Sequence, residues 1–107
     1  MSAAKIRELN DQFRTTMTGG RVLMTAGVDA LPSDVKAMVI RRVATFWEFN
    51  ADNDPHGEHD FGAFVLAGRK YFWKIDAYDT EMRFGSPDPA DSAKTTRVLT
   101  IMLAEEY

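Results

Sequence analysis

The sequence contains no cysteine, which excludes disulfide bonds and thiolate metal sites. It has no apolar run near the roughly 18 residues needed to span a bilayer, which argues against a membrane partner. The opening stretch MSAAKIRELN lacks the apolar core and small-residue cleavage site of a secretory signal. We therefore expect a cytoplasmic location.

Familiar catalytic motifs are also missing. The glycine pair at residues 19–20 lacks the rest of a phosphate-binding loop, and none of the three serines lies in a GxSxG elbow. The basic residues form no dense patch with displayed aromatic side chains, which argues against direct nucleic-acid binding. We assign no catalytic residue and no cofactor from the sequence, and an enzymatic role is the less favoured interpretation.

The length and composition predict one domain spanning residues 1–107. Of these residues, 45% are hydrophobic and 27% are charged, as in an ordinary globular protein. A chain of this length can bury one core but is too short for two. No linker, repeat or low-complexity segment divides it.

The charge is unevenly distributed along the chain. The net charge is -3, yet no Lys or Arg occurs between Arg42 and Arg69, a segment rich in Asp and Glu. An acidic surface repels nucleic acid and attracts basic protein surfaces, although a solvated acidic loop would show the same composition. The predicted interaction surface comprises Glu48, Asp52, Asp54, Glu58, Asp60, Asp76, Asp79 and Glu81.

Residues 58–78 show the pattern of a β-hairpin. Two runs rich in aromatic and β-branched residues flank an Ala-Gly-Arg turn. A two-residue loop at Gly68 and Arg69 predicts the cross-strand pairs Leu66 with Tyr71, Phe64 with Trp73 and Gly62 with Ile75. These side chains share one core face, and a one-residue slip would exchange the faces.

The remaining patterns predict three helices and further strands. Apolar residues spaced by three and four indicate a helix over residues 3–18, with Arg14 facing water, and a second helix opened by Leu31-Pro32-Ser33-Asp34. Residues 21–25 are typical of a buried strand, and residues 80–86 are a candidate for an extra one. The fold class is thus α+β: a small, antiparallel-rich sheet centred on the 58–78 hairpin, packed by three helices in the order α-β-α-β-β-(β)-α.

The last helix is predicted from about Pro89 to Glu105. Asp88 fits its cap, and a proline at the first helical position is favourable. Residues 98–104 are apolar nearly all round, which suggests burial or a homodimer formed through this helix. Residues 95–101, however, contain several Thr, Val and Ile residues with strand propensity.

Two polar constellations are candidates for a site. In the hairpin register above, His59 pairs with Tyr78, and both share a face with Lys74 and Asp76; such polar residues more often form a buried ion pair or mark the solvent boundary than a site. The loop residues Asp52, Asp54, His56 and His59 are weak metal-ligand candidates, since they also favour turns. A calcium loop is disfavoured because Ala63 occupies its last ligand position.

Several blocks, namely NDPHGEHDFG, FWKIDAYD, GSPDPAD, TTRVLTIMLAEEY and GGRVLMTAGV, carry a resemblance. Together with the LP-initiated second helix, they make the chain resemble, from about Ile6 to Tyr107, a family of small bacterial proteins known only as a domain of unknown function. The resemblance implies no activity, cofactor or catalytic residue. Members of that family are often found on plasmids, phages and integrated elements, which implies accessory roles.

The sequence as a whole predicts a small, acidic, non-enzymatic interaction protein. Its expected partner has a basic surface. The mobile-element context that the resemblance implies makes inhibition of a host defence or nucleic-acid-processing complex the expected role, with anti-CRISPR or antirestriction activity as a candidate. The alternative is a small metal-dependent hydrolase that uses the acidic loop around His56 and His59.

Overall fold

The fold begins with helix α1 (Ala3–Thr16), which packs against one face of the sheet. A computed structural model describes residues 2–107. The apolar stripe of α1 places Phe13 in the core. The helix ends at Met17, which adopts a left-handed conformation with φ 57° and donates its backbone N–H to Phe13 O. The amphipathic spacing therefore predicted this helix correctly.

A short strand and two helices follow. β1 (Arg21–Met24) leads into a single helical turn, α2 (Ala26–Asp29), and then into α3 (Ser33–Ala44). Val28, Val39 and Val43 are fully buried and hold α2 and α3 against the sheet. The chain from Phe46 to Asn50 is irregular, so Trp47 to Phe49 forms neither strand nor helix end.

The hairpin consists of β2 (Phe61–Leu66) and β3 (Arg69–Tyr78), and its predicted register is wrong by two residues. Its loop is Ala67-Gly68, where both residues have positive φ, as two-residue hairpin loops favour. The observed pairs include Leu66 with Arg69, Phe64 with Tyr71 and Gly62 with Trp73.

Side-chain size accounts for the observed register. Trp73 lies opposite Gly62, which leaves room for the indole, whereas the predicted register would have placed Trp73 opposite Phe64. Because the pairing differs by two residues and side chains alternate with a period of two, the core face is unchanged: Phe64, Tyr71 and Trp73 are all buried. The face assignment is therefore correct although the pairing was not.

The predicted last helix is wrong. The segment instead forms a short 3₁₀ helix (Ser92–Lys94), a strand β4 (Thr96–Leu103) and a second 3₁₀ turn (Ala104–Glu106). β4 lies inside the sheet, parallel to β1 and antiparallel to β3. Side chains on both faces of β4 are buried, so its sequence is apolar almost throughout. A buried helix has the same continuous apolar pattern, which is why the sequence predicted a helix here. The helix on which a homodimer was predicted is thus absent.

The sheet has the order β1-β4-β3-β2. It mixes one parallel with two antiparallel pairings and carries α1, α2 and α3 on one face, which confirms the α+β class. The number of α-helices in the described residues is three as expected, but α2 takes the place of the predicted last helix. The extra strand expected at residues 80–86 is reduced to a bridge between Tyr78 and Gly85. Within residues 2–107, no helix is long and apolar enough to cross a membrane.

Candidate functional site

The acidic loop at residues 50–60 is fastened to α1 through its backbone. Arg7 Nη1 donates to Gly57 O at 3.0 Å, and Asn10 Nδ2 donates to Glu58 O at 2.9 Å. Asn10 is almost fully buried, so this second contact lies in the interior. The N-terminal half of α1 therefore fixes where the loop presents its acidic side chains.

Local turns shape the same loop. Asn50 Oδ1 accepts the backbone N–H groups of Asp52 and Asn53 at 2.9 and 3.0 Å, and Asn53 Nδ2 donates to Glu48 O at 2.8 Å. Short amide and carboxylate side chains commonly close turns in this way. The Asn side chains are thus structural, whereas the Glu48 and Asp52 carboxylates play no part in these turns.

His59 lies away from the polar cluster in which the sequence placed it. It has φ 53° and precedes the strand, and its ring points towards α1, where Nδ1 lies 2.9 Å from Asp11 Oδ1. Nε2 lies 3.6 Å from Asp54 Oδ2. Since ionised carboxylates only accept hydrogen bonds, Nδ1 carries the proton towards Asp11. The predicted pairing of His59 with Tyr78 is wrong, because the backbone turns out of the strand conformation at this residue.

The remaining members of the predicted polar cluster do share a face. Lys74 Nζ lies 3.0 Å from Asp76 Oδ2, and both side chains are just over one third exposed. The hydrogen bond to Asp76 raises the pKa of Lys74, and nearby Tyr78 and Tyr107 act in the same direction. This group is an ion pair on the helix-free face of the sheet.

Asp60, between the loop and the hairpin, has a raised pKa. Burial raises the pKa of the Asp60 carboxyl, and the negative charges of Asp54 and Asp76 raise it further. A nearby negative charge disfavours the ionised form of a carboxyl group and so raises its pKa. Asp54 in the loop and Asp76 in β3 both act electrostatically on Asp60.

The eight residues of the predicted interaction surface differ in availability. Asp54 faces inward, with a side chain only 6% exposed and Oδ1 bound to His59 N, while Asp76 is paired with Lys74. Asp79 Oδ1 closes a turn by accepting two backbone N–H groups. The other five form no ion pair with residues 2–107: Glu48, Asp52 and Glu81 are exposed, and Glu58 and Asp60 are half-buried.

The weak metal-ligand candidates do not converge in the part of the chain that the structure describes. No group of three His, Asp or Glu side chains suited to a metal occurs within residues 2–107. His56 is exposed at the loop tip, whereas both ring nitrogens of His59 face carboxylates. The metal assignment stays a prediction.

One protein-family model matches most of this chain. A model described as Protein of unknown function (DUF3768) matches residues 24–106. The chain belongs to that family. Comparisons with curated proteins and with solved structures find no similar protein. The acidic loop, the hairpin and β4 of this DUF3768 chain lie inside the matched stretch, whereas α1, which fastens the loop, precedes it.

Arg14 in α1 is a buried residue that the sequence did not identify. Predicted to face water, it is 2% exposed, and its Nη1 donates to Val43 O and Phe46 O at 2.9 Å each. The guanidinium also pairs with Asp11 and lies over the rings of Phe49 and Trp73. The sequence did offer one indication of this burial: Asn10 and Arg14 are four residues apart, so they lie on the same side of the helix, next to the apolar stripe.

Proposed function

We propose that this chain is a small non-enzymatic interaction protein that acts in the cytoplasm by binding a basic surface of a protein partner. The observation that carries the proposal is the position of Glu48 and Asp52. Both are exposed, form no ion pair with residues 2–107 and belong to a segment without any Lys or Arg. Glu58, Asp60 and Glu81 extend the acidic surface.

The rigidity of the loop favours this role. The contacts of Arg7 and Asn10 with the loop backbone, and of His59 with Asp11, hold the loop backbone in place before a partner arrives. Pre-ordered groups lose less conformational entropy on binding, and complementary charge increases the association rate. Asp52, Glu58 and Asp60 on this ordered loop therefore suit a basic partner better than a flexible acidic tail would.

The class of partner follows from charge complementarity. Proteins that bind nucleic acids display Lys and Arg for phosphate contacts, and carboxylates at the same surface compete with phosphate. We propose a host defence or nucleic-acid-processing complex as the target, in keeping with the mobile elements on which proteins resembling this chain are found. The expected role is inhibition by occupation of the nucleic-acid-binding surface.

Matched charge reversals test the proposal. The tagged chain is used to capture proteins from a bacterial lysate, and the double variant Glu48→Lys with Asp52→Lys is compared with Asp34→Lys with Glu105→Lys. The control changes the net charge equally but lies elsewhere: Asp34 is in the first turn of α3, and Glu105 is 3.6 Å from Arg69 beside the hairpin loop.

We expect the unaltered chain and the control to retain a DNA-binding partner that added duplex DNA displaces. The loop variant should lose it, and raising the salt concentration should weaken capture because exposed charges are screened. Absence of any specific partner, or equal capture by the two double variants, would overturn the proposal.

A further inference from the structure

Arg97 in β4 is a buried cation without a carboxylate partner. Its residue is 4% exposed, and it forms no ion pair with any Asp or Glu within residues 2–107. Nε donates to Asn10 Oδ1 at 2.7 Å, and Nη2 donates to Pro89 O. Nη1 has no hydrogen-bond partner in this part of the chain.

Nη1 is an accessible donor, because the enclosed side-chain atoms that lack a partner within residues 2–107 are Arg14 Nε and Trp73 Nε1. Arginine is almost always protonated, and buried charges are normally paired because transfer out of water is costly. Two neutral oxygen acceptors satisfy part of the guanidinium but do not neutralise it. Burial lowers the pKa of Arg97, and no neighbouring carboxylate opposes that effect. An anion next to Nη1 would complete the site.

Arg97 also lines a cleft with room for a ligand. The cleft has a volume of about 280 Å³ and lies between the C-terminal half of α1, the turn that follows it and the 3₁₀ helix before β4. Leu9 and Phe13 supply apolar walls, while Thr16 and Ser92 contribute hydroxyl groups. Ser92 begins this 3₁₀ helix and is exposed, and its hydroxyl makes no hydrogen bond within residues 2–107. Two open donors thus border one cleft.

The composition of the cleft selects the ligand class. A single guanidinium edge and a few hydroxyls match the charge of one carboxylate, whereas a phosphate dianion is usually held by more donors. Leu9 and Phe13 suit a short apolar group attached to that carboxylate, and the volume lies just below that of most small-molecule sites, which favours a ligand of few atoms. We propose that this cleft binds a small organic acid, with its carboxylate at Arg97 Nη1 and Ser92 Oγ and its apolar part against Leu9 and Phe13.

The first test uses pairs of probes that differ only in charge. Sodium benzoate and sodium isobutyrate are titrated into ¹⁵N-labelled protein, alongside benzamide, isobutyramide, inorganic phosphate and sodium chloride at matched ionic strength. We expect saturable shifts of the Gly19, Ser92 and Arg97 signals with the two carboxylates alone. Equal shifts with the amides or with chloride, or binding of phosphate without the carboxylates, would overturn the proposal.

Two variants then separate binding from folding. Arg97→Lys keeps the charge but loses the guanidinium geometry, and we expect benzoate to bind at least about tenfold more weakly, as for loss of a charge-assisted hydrogen bond. Ser92→Trp fills the cleft from an exposed position and leaves Arg97 in place. Loss of benzoate binding by Ser92→Trp at an unchanged melting temperature supports the site, and unchanged binding in that variant refutes it.

Discussion

His59 stacks flat against Phe49, with ring centroids 3.7 Å apart and ring planes 5° apart. The same imidazole reaches Asp11 on α1 and lies between that carboxylate and Asp54. One side chain with an uncommon backbone conformation thus connects the segment after α3, the acidic loop and the first helix. The geometry of the proposed interaction surface depends on this connection.

Replacement of His59 should loosen the loop. We expect His59→Ala to lower the free energy of unfolding by about 1–3 kcal/mol, because it removes the stacking on Phe49 and the hydrogen bond to Asp11. His59→Asn should recover part of the loss, since Asn tolerates positive φ. Urea denaturation measures both. The exposed His56→Ala is the control, and an equal loss in that variant would contradict the role of His59.

Neutralising Asp60 should stabilise the protein at neutral pH. Its folded-state pKa is raised, so the folded state binds the proton more tightly than the unfolded state does. The free energy of unfolding therefore falls as the pH rises from the ordinary value of 3.8 through the raised one. Asp60→Asn should have a higher melting temperature than the unaltered chain at pH 7, and the advantage should disappear below pH 3.8. Asp52→Asn, at an exposed position, should change little; an equal gain there would argue for a general charge effect.

Glu106 should show the opposite pH dependence. Its carboxylate accepts hydrogen bonds from Thr25 Oγ1 at 2.5 Å, Gly27 N at 2.8 Å and Leu103 N at 2.9 Å. The hydroxyl of Thr25, followed by the two backbone N–H groups, lowers the pKa of Glu106 below its ordinary 4.5.

This stabilisation is complete above pH 4.5 and is lost as the pH falls through the lowered folded-state value. Glu106→Gln should therefore melt at a lower temperature than the unaltered chain at pH 7, with the difference fading in acid. Thermal melts over a pH series measure it. Glu105→Gln is the neighbouring control, because its carboxylate only approaches Arg69 at 3.6 Å; a pH-independent difference for Glu106→Gln would contradict the assignment.

The register of the hairpin can be tested at Gly62. A Cβ atom there would lie 2.3 Å from Trp73 Nε1 and within 2.8 Å of two further indole atoms. We expect Gly62→Ala to cost about 1–3 kcal/mol of stability through overpacking. Gly85→Ala is the matched control, because no atom lies within 4 Å of its Cβ position. Urea denaturation should separate the two variants, and a neutral Gly62→Ala would mean that Trp73 packs elsewhere.

Local periodicity predicted the parts of the fold that depend on local interactions. The spacing in α1, the proline just before α3 with the serine that begins it, and the alternation in β3 all correspond to elements that bury one stripe or one face. The faces of the hairpin were also predictable, because alternation determines them whatever the register. The register itself depended on the fit between Trp73 and Gly62, which is a contact across strands.

Non-local contacts decided the rest. The prolines and Asp91 before β4 imitate a helix start, but they produce only a short 3₁₀ helix, in which Asp91 accepts the N–H of Ala93. The following residues become a strand because β1 and β3 offer hydrogen bonds on both sides. Likewise, no pattern around His59 indicates that its partners are Asp11 and Phe49, since neither is near it in sequence.

The position of β4 has a consequence for biosynthesis. β1 is made early, yet its partner in the sheet is β4, where Val22 pairs with Leu99. Until β4 has left the ribosome, the nascent chain can assemble only the β2–β3 hairpin, and an isolated two-stranded hairpin is marginally stable at best. Completion of the sheet must therefore follow synthesis of Leu103, and a ribosome stalled before that residue would hold a chain with exposed strand edges, which is a substrate for chaperones and proteases.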